Sequence, residues 1–134
     1  MGEIMKTKLF KVFFIYFIFN LTSCSYFQMV EYDVGQIDSK TLEEIKNIQV
    51  YKIDTRKPDI ENYLGNVIGY SCRRTPDDKP ENIEDALLQL KIDAHNLGAN
   101  RIIEVAFEWV GTDPYIPNCY GTITARGIAI KYKK

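Results

Sequence analysis

The chain has 134 residues, with 17 Lys and Arg against 18 Asp and Glu, a formal net charge of −1, three cysteines and one histidine. That length accommodates one domain and little else. Near-neutral charge without a basic stripe excludes the electrostatic footprint of a nucleic-acid-binding protein, and it leaves no polybasic patch for anionic lipid headgroups.

In chain order, the first signal is a leader. Lys6, Lys8 and Lys11 form a positive start, Val12 to Phe19 an apolar run, and Leu21-Thr22-Ser23-Cys24 closes it. Roughly ten apolar residues suit the central region of a signal peptide, whereas a membrane span needs about 18 to 20. The Leu-Thr-Ser-Cys run resembles the lipobox of bacterial lipoproteins, whose cysteine is thioether-linked to diacylglycerol, cleaved at its amino side and N-acylated. The resemblance implies that residues 1–23 are removed and that acylated Cys24 holds the chain to lipid. Several acyl chains on one residue meet the requirement for stable anchoring. Without the leader, 14 basic and 17 acidic side chains remain.

Residues 24–45 read as the lipidated cysteine and a mixed, acidic tether with room for a short strand or turn. Ser25 to Glu44 reaches on the order of 70 Å when fully extended. Residues 46–134 read as the globular domain. Ile48 to Asp54 alternates apolar and polar residues and predicts a strand ended by Pro58. Leu64 to Cys72 predicts a second, in which Gly65 and Gly69 mark bends or the close approach of another backbone. A helix is expected over 79–97, from a capping box of Asp78 and Glu81 with Pro80 in the first turn, to Gly98 at its end. Ile83, Ala86, Leu87, Leu90, Ala94 and Leu97 form its apolar stripe, leaving Glu84, Asp85, Lys91 and Asp93 to water.

Arg101 to Val110 predicts a half-buried strand with Ile103, Val105, Phe107 and Trp109 on one face. Cys119 to Tyr132 predicts the last strand. Its small face, Cys119, Gly121, Ile123, Ala125, Gly127 and Ala129, lets the helix lie close. Tyr120, Thr122, Thr124 and Arg126 are left for solvent or a partner. The expected fold is α+β, in the order β-β-α-β-β, with a mainly antiparallel sheet packed by one long helix.

In an exported chain, Cys72 and Cys119 are most economically a disulfide, against two free thiols or a metal site. Such a bridge would tie two sheet edges or layers. It would close about 47 residues, worth about 4 kcal/mol on the chain-entropy account. With His95 as the single histidine and no CxxC spacing, no metal ligand set is expected. No nucleophile can be paired with His95 either, and the glycines are scattered over strands rather than gathered in a phosphate-binding loop. A non-enzymatic protein without cofactor is the expectation. Trp109, Tyr115 and Tyr120 surround the loop before Cys119 and are the candidate partner surface, since these residue types concentrate at binding hot spots. The plainer alternative is that Trp109 covers the end of the core while the tyrosines pack on the disulfide.

Several runs together resemble one family: Leu64-Gly65-x-Val67-x-Gly69-x-Ser71-Cys72, Leu97-Gly98-Ala99-Asn100, and Cys119-Tyr120 with Ala125-x-Gly127-x-Ala129. They resemble the RcsF family, outer-membrane lipoprotein sensors of the Rcs envelope-stress phosphorelay, over residues 48–132. The last two runs are also similar to small YbjQ-type domains. The resemblance implies an outer-membrane, lipid-anchored protein facing the periplasm that activates a phosphorelay. Its partners would be an outer-membrane barrel, the barrel's assembly machinery and an inner-membrane regulator. The alternative is an envelope lipoprotein whose YbjQ-like domain oligomerises or binds a ligand or metal without signalling. Two departures stand out. Phe107 and Ala125 occupy the positions of that family's second disulfide, and the tether lacks the proline-rich basic linker.

Overall fold

The computed structural model describes residues 31–56, 58–111 and 118–132. The leader, Cys24 and Tyr115 lie outside them. After a 3-10 turn at Val34–Gln36 come α1 (Ser39–Lys46), β1 (Gln49–Lys52), β2 (Ile60–Arg73), α2 (Ile83–Asn96), β3 (Arg101–Val110) and β4 (Gly121–Tyr132). The sheet order is β1-β3-β4-β2. β4 runs antiparallel to both β2 and β3, while β1 pairs parallel with β3. The expected α+β order is therefore present, with one helix added at the front.

α2 is placed by its two ends. Asn82 caps it: Oδ1 accepts from the Asp85 amide at 2.8 Å and Nδ2 donates to Asp85 Oδ2 at 2.6 Å. These bonds satisfy an amide that has no partner within the helix. The backbone N–H of Asn82 also donates to Ser71 Oγ at 3.1 Å, which fastens the helix start to β2. The expected start at 79 with Asp78 and Glu81 as capping box is thus corrected. Asp78 instead closes a turn, its carboxylate accepting from the Thr75 amide at 2.8 Å. At the other end Gly98 has φ 77°, the Gly98 amide donates to His95 O, and the Ala99 amide donates to Ala94 O. That is the double closure for which a left-handed glycine is favoured.

Between these ends the helix lies directly on strand backbone. A Cβ on Gly69 would collide with the Leu90 nitrogen and the Ala86 carbonyl. Ala86, Leu90, Ala94, Ala125 and Ala129 are all fully buried, and with Val67, Ile102, Val105 and Ile123 they make the core. Ile123, Ala125 and Ala129 of the small face expected on β4 therefore lie under the helix, whereas Cys119, expected on the same face, packs with Tyr70 and Cys72 instead. Ile83 and Leu97, expected in the stripe, are each 44% exposed, because they stand at the helix ends, beyond the buried stretch.

The flank of α2 expected to meet water is partly covered. Gln89 is buried and pairs twice with the backbone of Tyr32, accepting from its N–H at 2.8 Å and donating to its carbonyl at 2.9 Å. Asp93 accepts from the Tyr32 hydroxyl at 2.9 Å and from the Ile68 amide at 3.1 Å. Burial raises the Tyr32 phenol above its ordinary value. Lys91 donates to the Lys46 carbonyl at 2.7 Å, and desolvation lowers its ammonium. α1 itself is capped by Asp38, which accepts from the amides of Lys40 and Thr41, and it buries Ile45. The expected 24–45 tether is corrected from Tyr32 onward: that part docks on α2 and belongs to the folded unit.

Two strand expectations also change. In β3, Glu104 takes φ 56° and the pairing register slips between Ile103 and Ala106. This bulge puts Ile103 opposite Ile128 while Val105 joins the core under the helix, so the two do not share a face. In β4, Thr122 and Thr124 are 0% and 1% exposed rather than facing solvent. β4 is an inner strand, and these residues are flanked by Cys72 and Tyr70 on β2 and by Val110 and Glu108 on β3.

Gly69→Ala should cost about 3 kcal/mol or more, as overpacking against backbone cannot be relieved by a rotamer change. Gly98→Ala meets open space and should cost only about 1 kcal/mol, for its left-handed backbone. Urea melting of both variants checks the order; equal losses would contradict the close packing at Gly69.

Candidate functional site: the disulfide end of the sheet

Cys72 and Cys119 are bonded, with Cα atoms 5.5 Å apart and a separation of 47 in sequence. Cys72 lies near the end of β2 opposite Thr122, and Cys119 stands two residues before β4. The Tyr120 amide donates to the Arg73 carbonyl at 2.6 Å, continuing the β2–β4 pairing past the bridge. The bridge therefore joins neighbouring strands at one end of one sheet, not two edges or layers. Tyr70 and Cys119 form a small buried cluster with Cys72 packed against it. Burial, and then the charge of Glu31, raise the Tyr70 phenol. On the helix side of the sheet Phe107 and Ala125 stand directly opposite each other, an aromatic ring over a methyl group.

Beyond the bridge the surface becomes aromatic. Trp109, the last but one residue of β3, is 69% exposed, and Tyr120 is 55% exposed. Trp109 consequently does not cover the core. Its indole Nε1 donates to Glu81 Oε1 at 3.3 Å. The Glu81 carboxylate rests on Gly121, where a Cβ would stand 2.5 Å from Oε1, and its Oε2 is shielded from water without a hydrogen-bond partner. The Arg73 guanidinium stacks 5.5 Å from the centre of the Tyr120 ring and donates to the carbonyls of Thr75 and Pro76. Of the expected surface, Trp109 and Tyr120 thus share one end of the sheet. Glu81 was missed as a member of it, because its spacing from Asp78 read as helix capping.

At the opposite end, a cleft of about 410 Å³ is lined by Glu44, Asn47, Ile48, His95, Asn100 and Arg101, among others. His95 Nε2 lies 3.8 Å from Glu44 Oε2. Arg101 donates to the Asn100 carbonyl at 2.7 Å and stacks 5.2 Å from the centre of the Tyr132 ring. Its Nε is buried without a partner. Sequence reasoning passed over this cleft because Glu44 was assigned to the tether. Among the described residues, no three His, Cys, Asp or Glu side chains gather as a metal site, and no helix is long and apolar enough to cross a membrane.

No family model and no curated protein matches this chain. Among solved structures, it is similar to a Pediococcus pentosaceus protein of unknown function that belongs to the DUF74 family. The TM-score is 0.44 at 13% identity, over 63% of this chain and 96% of that one.

With a loop of this length, reduction of Cys72–Cys119 should destabilise the domain by roughly 2 to 5 kcal/mol. Mass spectrometry of the protein purified without reductant should find two hydrogens fewer than the dithiol mass. Cys72→Ser should lower the melting temperature; finding free thiols, or unchanged melting, would contradict the structural role of the bridge.

Proposed function

We propose that the chain is an outer-membrane-anchored periplasmic lipoprotein acting as an envelope-stress sensor or adaptor, activating a Rcs-type phosphorelay through protein–protein contacts. The observation that carries this reading is the aromatic surface of Trp109 and Tyr120, exposed beside a disulfide in a chain whose leader ends in a lipobox cysteine. A soluble core residue of Trp109's size ordinarily buries most of its area, and an exposed one beside a covalently closed sheet end suits recognition better than packing. Lipid on Cys24 supplies the membrane contact, and Ser25 behind it, in place of aspartate, resembles lipoproteins sorted to the outer membrane. The partners in this reading are an outer-membrane barrel, its assembly machinery and an inner-membrane regulator.

A second reading, a YbjQ-like binding or oligomerisation domain in an envelope lipoprotein without signalling, is favoured by the cleft at Glu44, His95 and Arg101. Deleting the gene separates the two. The sensor reading expects loss of induction of an envelope-stress transcriptional reporter; unchanged induction supports the second.

Cys24→Ala should leave the protein unprocessed or soluble, and globomycin should accumulate the precursor of the wild type. Fractionation of a correctly processed Cys24→Ala protein with the outer membrane would overturn the lipoprotein reading.

A further inference from the structure

Trp109 and Glu81 form a pair whose chemistry is incomplete. The indole is exposed, yet it is held in place through its hydrogen bond to Glu81 Oε1. Among the described residues, Glu81 Oε1 receives only the 3.3 Å indole bond and Oε2 receives nothing. Among the described residues no Lys or Arg pairs with Glu81. A charge lying against backbone at Gly121, with one oxygen withdrawn from water, is costly unless a charged donor completes it.

A cation has the chemistry to complete this pair. Elsewhere in this chain guanidinium groups already lie over aromatic rings, Arg73 over Tyr120 and Arg101 over Tyr132, while the Trp109 ring has no such cation among the described residues. Tryptophan offers the strongest aromatic face for a cation. A planar guanidinium suits the pair better than an ammonium, because it stacks flat on the indole while its fork of N–H groups reaches a carboxylate.

We propose that Trp109 and Glu81 together form a receptor for an arginine side chain presented by a partner protein. This rests on the reading of the disulfide end as a partner surface and gives that surface its chemistry. The guanidinium stacks on the exposed indole face and donates to Glu81 Oε1. As the carboxylate turns slightly off Gly121, Oε2 accepts a second N–H. Neither the fold nor the disulfide needs to change for the arginine to enter.

Trp109 is the single tryptophan of the chain, so its fluorescence reports this site alone. The full-length chain, purified in a nonionic detergent, is titrated with acetyl-Gly-Arg-Gly-amide, with the Gly-Glu-Gly and Gly-Gly-Gly peptides as controls. The expected result is a saturable emission change with the arginine peptide only, weakened as salt is raised. Glu81→Gln keeps an acceptor for the indole N–H and should weaken binding roughly threefold to fivefold, the scale of one charge pair near a surface. Its circular dichroism should match the wild type. No saturable change, an equal response to the glutamate peptide, or undiminished binding by a folded Glu81→Gln variant would each overturn the proposal. Trp109→Ala in the stress-reporter strain separates the two levels. Loss of reporter output without arginine-peptide binding retains the partner surface and rejects its arginine specificity.

Discussion

Everything in this domain hangs on the contact of α2 with the backbone of β2 at Gly69. Where most helices rest on side chains, here the Leu90 nitrogen and the Ala86 carbonyl occupy the space of a missing Cβ. Close approach of this kind requires small residues on both sides, and Ala86, Ala94, Ala125 and Ala129 supply them. The gain is dense packing of main chain on main chain, with dispersion contacts along several turns. The cost is intolerance, since nothing flexible stands between helix and strand to absorb an added methyl group. The ends of the helix are then set by polar bonds, Asn82 to Ser71 and Asp85 at one end, Ala94 and His95 carbonyls to the Gly98 turn at the other.

Because the helix is fixed so closely, its outer flank becomes a docking site for the chain's own upstream segment. Gln89 and Asp93 reach toward Tyr32, and Lys91 toward the end of α1. Asp93 also takes the amide of Ile68. β2 is an edge strand, and an acceptor on its open amides blunts a surface that would otherwise invite another strand. One aspartate therefore protects an edge and anchors the residues that lead back toward the leader. The folded unit therefore begins upstream of residue 46.

Elements with strong local signals were legible in the sequence. The Arg101–Val110 strand and the β4 face of small residues follow from alternation, and Gly98 from its place at a helix end. Gly69 was marked for close approach, though which backbone would approach it was not. The cysteine pair was legible from the count and from the expectation of an exported chain. Features that depend on tertiary context were not. The bulge at Glu104 reverses the side of Ile103 without altering the alternating letters around it. Burial of Thr122 and Thr124 follows from β4 lying inside the sheet, which depends on strand order. The helix start moved because Asp78 and Asn82 both qualify as caps, and the bonds of Asn82 to Asp85 and Ser71, with Asp78 taken up by the Thr75 amide, decide between them. α1 was missed because eight residues with few apolar side chains read as a charged linker until Gln89 and Lys91 are placed beside them. Glu81 illustrates the same limit at the candidate site, where a position that reads as capping turns out to hold an exposed tryptophan.

The path from sequence to surface runs through that helix placement. With α2 seated on Gly69, Glu81 just ahead of it falls on Gly121, and Trp109 is held by the carboxylate at the sheet end that Cys72–Cys119 closes. If the helix sat elsewhere, neither the Asn82–Ser71 bond nor the Trp109–Glu81 pair would form. The most direct test is a nuclear Overhauser spectrum of the isotope-labelled chain. The account predicts a strong cross-peak from the Gly69 α-protons to the Leu90 amide proton, whose nitrogen stands where a Gly69 Cβ would be. Cross-peaks from Gly69 only to its sequence neighbours and to Ala125 across the strand would contradict it.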